Sequence, residues 1–264
     1  MSSVSSGIAL LFAACAVLGA SQPPLLRVCA DPNNMPFSNE RREGFENKIA
    51  ALIARDLHRS LSYFWLPQRR GFIRNSLNAG RCDLVIGVPA GYGLLQSTRS
   101  YYRSSYAFVS RQDRRLRIDS FDAAQLETLT IGVQMIGDDY DNPPAAQALA
   151  ARHLAHNVRG FTIYGDYSQP DPQREIVDAV ANGRVDIAVV WGPLAGYYAR
   201  RQPTAMTITP IAAERDGPSL RFVFDIAMGV RRDDTALRHA LDAIIERRGI
   251  EMRRILRSYG VPLR

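Results

Sequence analysis

Asn182-Gly183-Arg184-Val185-Asp186-Ile187-Ala188-Val189-Val190-Trp191-Gly192-Pro193 is the stretch that decides the fold. Ahead of it, residues 175–181 place Ile176, Val177 and Val180 on one stripe at helical spacing. Gly183 is positioned to end that helix in a left-handed turn, a conformation that glycine adopts without steric cost. Residues 185–190 follow as a short, β-branched, nearly uncharged run, the pattern of a strand covered on both faces. Trp191, Gly192 and Pro193 then break the strand at its carboxyl end. About a hundred residues earlier the same grammar appears: a helical stretch at 72–79, Gly80, and then Arg81-Cys82-Asp83-Leu84-Val85-Ile86-Gly87-Val88-Pro89. Gly-Arg-x-Asp, an apolar strand and a proline recur in both places. Two such helix–strand units predict an α/β protein of two lobes, each offering strand ends to a shared cleft.

The bulk composition supports this reading. A chain of 264 residues can build two modest lobes with real cores. Its 46% hydrophobic and 22% charged content is that of a globular protein. The net charge of +7 comes almost wholly from arginine, Lys48 being the lone lysine. The arginines are dispersed apart from groups at 111–117 and 247–257, with no basic stripe interleaved with aromatics, so nucleic acid is not an expected partner. A basic face that meets an acidic protein fits the charge as well. Residues 8–20 form an Ala-rich apolar run of 13 residues, too short to span a bilayer but the length of a signal-peptide hydrophobic region. Cleavage after Ala20 is expected, although residues 1–7 carry no Lys or Arg. Phe12 makes a poor lipobox ahead of Cys15. No other segment reads as membrane-spanning, so a soluble mature protein in the periplasm is expected. Two cysteines then remain, Cys29 in the first strand and Cys82 at the start of the third. If those strands are neighbours, a disulfide can form; the alternative is a pair of buried free thiols. With no Cys or His close by, they do not make a zinc site.

In order, strands are expected at 25–30, 61–66, 82–88, 101–110, 128–134, 158–164, 185–190, 206–211 and 220–230. Helices are expected at 44–57, 70–79, a short one capped by Ser120 and running to 127, 145–154 with Asn142 as its cap, 175–181, 193–201, and a closing pair at 234–246 and 250–259. The predicted organisation is a signal peptide at 1–20, a first lobe of 21–110 plus 221–264, and a second lobe of 111–220. The chain then crosses between lobes twice, which makes a hinge.

Strand ends nominate the cleft. After the first strand stand Asp31, Asn33, Asn34 and Phe37, an acid, two amides and an aromatic in a turn-rich loop. After the third come Gly87 and Pro89. In the second lobe the corresponding positions are Gln134, Gly137, Asp138 and Asp139, and then Trp191 and Pro193. Asp138, Asp139 and Asp141 lack the glycine and distal glutamate of a calcium loop, so no metal site is expected. The four histidines, His58, His153, His156 and His239, fall in expected helices or at their ends, and none neighbours a Ser or Cys in a nucleophile motif. No catalytic residue and no cofactor are expected.

Leu26-Arg27-Val28-Cys29-Ala30-Asp31, Pro36-Phe37, Gly44-Phe45-Glu46 and Gly80-x-x-Asp83-Leu84-Val85-Ile86-Gly87 resemble the bacterial family 3 extracellular solute-binding proteins, the periplasmic receptors of polar amino acid importers. More narrowly, 29–40, 131–139 and 189–198 resemble the quinoprotein-dehydrogenase-associated branch, the MoxJ/XoxJ type. The resemblance implies a type II periplasmic-binding-protein fold, each lobe a mainly parallel sheet flanked by helices. It also implies a partner, a pyrroloquinoline-quinone (PQQ) alcohol dehydrogenase, typically a methanol dehydrogenase, with its cytochrome c as a second candidate. Such receptors clamp a ligand carboxylate with an arginine in a Thr-x-x-Arg context. Aligned from Gly87 that position falls near Leu94, with no such motif, and Trp191 stands where those receptors hold the ligand ammonium with an aspartate. An amino acid would leave unpaired charges in such a cleft. The expectation is a non-enzymatic accessory protein of the dehydrogenase, the alternative being a transporter-type receptor for a small ligand other than an amino acid.

Overall fold

The computed structural model describes residues 23–135, 142–162, 164, 166–217 and 219–264. Nine main strands order the chain: β1 (Leu25–Ala30), β2 (Ser60–Trp65), β3 (Leu84–Pro89), β4 (Tyr102–Arg111), β5 (Ile131–Met135), β6 (Val158–Thr162), β7 (Ile187–Trp191), β8 (Met206–Pro210) and β9 (Val223–Val230). The helices are α1 (Phe45–Asp56), α2 (Phe72–Asn75), α3 (Pro144–Ala151), α4 (Glu175–Ala181), α5 (Gly192–Ala199) and α6 (Thr235–Ser258).

The strands join one continuous sheet in the order β2-β1-β3-β9-β4-β7-β5-β6, with β8 also on β4. Each half repeats one plan. In the first, β1 lies between β2 and β3 with both pairings parallel, and β9 closes on β3 antiparallel. In the second, β5 lies between β6 and β7, again parallel, and β4 closes on β7 antiparallel. The long strand β4 joins the halves. Its residues from Tyr102 to Ser105 pair with β9, and those from Tyr106 to Ser110 pair with β7.

The repeated Gly-Arg-x-Asp has one structural job in both halves. Gly80 and Gly183 take φ of 70° and 71°, turning the chain out of the preceding helical segment. The aspartate then clips the amino end of the neighbouring parallel strand. Asp83 N donates to Arg27 O at 2.8 Å while Arg27 N donates to the Asp83 carboxylate at 3.0 Å. Asp186 N donates to Thr130 O and Thr130 N donates to the Asp186 carboxylate, both at 2.9 Å. A two-way clip of this kind sets the register before the ladder begins. The strand run itself is covered on both faces: Ile187 and Val189 pack into one apolar cluster, Ala188 and Val190 into another. β3 does the same, with Leu84 and Ile86 on one side and Val85 and Val88 on the other. Cys29 and Cys82 form a disulfide with their Cα atoms 5.5 Å apart, because β1 and β3 are neighbours.

Several expectations need correction. The helix expected over 70–79 is the single turn α2. Ser76 leaves helical geometry at φ −119°, ψ −83°, and Arg81 N turns back to Ser76 O. The two closing helices are one, α6, which runs unbroken through Gly249. Leu241, Ile244, Ile245, Met252 and Leu256 keep one buried stripe across the glycine, and that packing outweighs its helix cost of about 1 kcal/mol. Ser120 accepts from Asp122 N in a turn, and the 3₁₀ helix that follows begins later, at Ala124. The cap of α3 is Pro143, not Asn142, and the helix ends at Ala151 ahead of His153 at φ 60°. The expected strand over 220–230 is split into a small hairpin, Arg215–Asp216 with Leu220–Arg221, and then β9. Among the described residues no helix is long and apolar enough to cross a membrane.

Candidate functional site

Because both halves hold parallel strands in the same order, their carboxyl ends converge on one place. A cavity of about 340 Å3 lies there. Of the residues nominated from sequence, Asp31, Asn34, Phe37, Gly87, Pro89, Gln134 and Trp191 line it. Asn33 does not; its side chain donates to Gln169 O at 2.9 Å, reaching from the loop after β1 to the loop after β6. Pro193 is buried in the first turn of α5, away from the cavity. Gly137, Asp138 and Asp139 lie outside the described residues.

Asp31 is an organising group rather than a free one. It is 1% exposed. Its carboxylate accepts from Asn33 N at 2.8 Å, Gln68 N at 2.6 Å and the Tyr167 hydroxyl at 2.5 Å. The last bond joins the two halves of the molecule. Burial first, and then the bond to Asp31, hold the Tyr167 phenol well above its ordinary titration range. The Arg69 guanidinium stacks behind this contact, 5.0 Å from the Tyr167 ring centre and 5.7 Å from that of Tyr164. A third join, after Asn33–Gln169 and Tyr167–Asp31, is made by Tyr198 of α5, whose hydroxyl donates to Met35 O at 2.9 Å.

Glu46 is one of the polar lining groups, with Gln68, Tyr167 and Gln173, that the strand ends did not nominate. It sits in the first turn of α1, 6% exposed, and lines the cavity. Among the described residues no hydrogen-bond donor or ion-pair partner reaches its carboxyl. Burial, reinforced by the Asp31 charge, pushes it well above the usual carboxylate range. Gly87 leaves the room: at φ 82°, a Cβ there would stand 2.0 Å from Glu46 Oε1. The opening N–H groups of α1 are already used, Phe45 N by Pro36 O and Glu46 N by Phe37 O, at 2.8 and 2.9 Å.

The floor is aromatic. Trp191 and Tyr106 are paired across β7 and β4 with ring centres 5.4 Å apart, and Phe224 of β9 meets Trp191 edge-on at 5.8 Å. Burial pushes the Tyr106 hydroxyl up to about 12. Tyr102, Ile226 and Leu194 extend this surface, while Gln134 and Gln173, bonded to each other at 3.0 Å, add amides. Among the described residues no Arg, Lys or His lines the cavity. Leu94, aligned with the arginine clamp, is 47% exposed and elsewhere. All four histidines are exposed.

Two sheet halves of the same second-first-third-crossover order, facing each other across a cavity at their strand ends, define a periplasmic-binding-protein fold of type II. No protein-family model matches the chain. Protein MoxJ of Methylorubrum extorquens is 32% identical over 245 residues, covering 90% of this chain and 81% of that protein. The crystal structure of MxaJ from Methlophaga aminisulfidivorans superposes with a TM-score of 0.79 at 25% identity, covering 90% of this chain and all of that one. The periplasmic binding protein XoxJ from Methylobacterium extorquens superposes at 0.73 with 31% identity, covering 90% and 99%. The chain belongs to the MoxJ family. Amino acid-binding proteins such as an ancestral cationic amino acid receptor share only its fold, at 18% identity.

Proposed function

We propose that this chain is a non-enzymatic periplasmic accessory protein of a PQQ-dependent alcohol dehydrogenase system, binding the dehydrogenase and assisting its maturation or activation. Methanol dehydrogenase is the first candidate and its cytochrome c the second. The observation that carries the reading is the cleft of a MoxJ-family chain in which no Arg, Lys or His among the described residues lines the cavity to hold a carboxylate. Trp191 occupies the position at which an amino acid receptor would hold the ligand ammonium. A zwitterionic amino acid entering such a site would bury its carboxylate unpaired, at a cost of several kcal/mol. The proposed lobes are 21–110 with 221–264, and 111–220, following a signal peptide of 1–20.

The experiment is a clean deletion in the host. Dehydrogenase purified from the deleted strain is expected to carry less PQQ per polypeptide, or to show a lower specific activity at equal PQQ. Dehydrogenase with unchanged PQQ content and unchanged activity would reject the maturation role. A second reading, a receptor for a small ligand other than an amino acid, is favoured by one observation: the aromatic cavity is open to a molecule of modest size.

A further inference from the structure

We infer that the cleft seats an organic cation, an alkylammonium or guanidinium group, between the Glu46 carboxyl and the rings of Tyr106, Trp191 and Phe224. The inference rests on the reading above only in taking the cleft as a site that is kept for binding. Three observations carry it. Glu46 is a buried acid lining the cavity, and among the described residues no hydrogen-bond donor reaches its carboxyl. Asp31, the other acid among the described residues that line the cleft, has its carboxylate engaged by three donors, whereas none reaches the Glu46 carboxyl. Beside them lies the aromatic trio, whose ring faces are electron-rich and attract a cation that has shed its water.

The same features work against anions. A carboxylate or phosphate in this cavity would meet two acids and no basic side chain among the described lining residues. The amino end of α1 offers no relief, since its first N–H groups are bonded to Pro36 and Phe37. PQQ itself carries three carboxyl groups, so the cleft is not shaped to shelter it.

A cation changes the protonation of the site. Burial disfavours the Glu46 anion in the empty cleft; Asp31, Tyr63, Tyr101 and Tyr102 are the titratable groups around it, and Arg42 stands on the Tyr63 ring at 5.3 Å. Among the described residues no cationic side chain forms an ion pair with the Glu46 carboxyl. An incoming ammonium would supply that charge, so cation binding favours the ionised Glu46 and release of its proton to solvent. Neutral ligands leave the proton in place.

The test is isothermal titration calorimetry of the mature chain at pH 7 with a matched set: benzylammonium, benzyl alcohol and benzoate. Benzylammonium is expected to bind at least tenfold more tightly than either of the others. Titration in two buffers of different ionisation heat is expected to show net proton release as the cation binds. Glu46→Gln, which keeps the shape, is expected to lose tenfold or more of the benzylammonium affinity, to release no proton, and to treat benzyl alcohol as before. Trp191→Leu provides a second variant if the first is poorly folded, and is also expected to weaken benzylammonium. Benzoate binding as tightly as benzylammonium, cation binding unchanged by Glu46→Gln, or no binding by any of the three would each overturn the proposal. Capture of the dehydrogenase by Glu46→Gln, measured in parallel, reports on the accessory role separately. If benzylammonium competes with that capture, the cation is a Lys or Arg side chain of the partner; if it does not, the cation is a free molecule.

Discussion

Tyr167→Phe isolates the hydrogen bond that joins the two halves at the cleft. The substitution removes one oxygen and leaves the ring that Arg69 covers. The lost bond, 2.5 Å long, runs from the phenol to the buried Asp31 carboxylate. Hydrogen bonds to charged groups contribute roughly 1.5–3 kcal/mol. Asp31 keeps its bonds from Asn33 N and Gln68 N, so no buried charge is orphaned, and the lower part of that range applies. A loss of about 1.5–2 kcal/mol corresponds to roughly 10- to 30-fold more opening of this contact. Native-state hydrogen exchange reads it directly. Amides of residues 167–169 are expected to exchange faster by that factor, while those of β7 exchange as before. Exchange within twofold of the parent at 167–169, or equal acceleration throughout the chain, would refute the assignment of this bond as a local latch.

Three further outcomes are expected. Replacing Cys29 and Cys82 together by Ala removes a crosslink over a sequence separation of 53, worth about 4 kcal/mol on the chain-entropy scale, and calorimetry is expected to show a melting temperature lower by about 8–16 °C. Asp83→Asn should cost about 1.5–3 kcal/mol at pH 7. Burial raises the Asp83 carboxyl, but the bonds from Arg27 outweigh this and leave it below its usual 3.8; the stability it adds is therefore present above that value and lost as pH falls through the folded-state value, so urea titrations of parent and variant should converge as the pH is lowered through that range. Glu46→Gln has the opposite sign. The folded-state value is raised above 4.5, so the parent loses stability as pH climbs from there towards the folded value, and the variant should melt above the parent at pH 8 and level with it at pH 4.

Much of this fold can be read from residues alone, and the reasons are local. The run at 185–190 announces a doubly covered strand because every second residue is apolar on each face, and both faces prove buried. Gly-Arg-x-Asp is legible twice because the clip it makes needs only a left-handed glycine and a short carboxylate. Where reading failed, the deciding contact was distant. Gly249 looks like a stop until the stripe on either side of it is packed as one face. In the cleft, strand ends located Asp31, Gln134 and Trp191, but the same rule applied to the second strand of each half would have found Gln68 and Tyr167. Tyr102, Tyr106 and Phe224 lie on the crossover strands, whose residues reach the cleft only once the two halves face each other. Glu46 resembled an ordinary first-turn acid of a helix; its burial depends on Gly87, a position 41 residues away in the chain.

The accessory role is tested most directly by purifying the tagged mature protein from periplasmic extract of its own host and identifying what accompanies it by mass spectrometry. The expected result is enrichment of a quinoprotein dehydrogenase over an untagged control, retained at moderate salt. Enrichment of transporter permease subunits alone, with no dehydrogenase, would contradict the account and return the chain to the solute receptors.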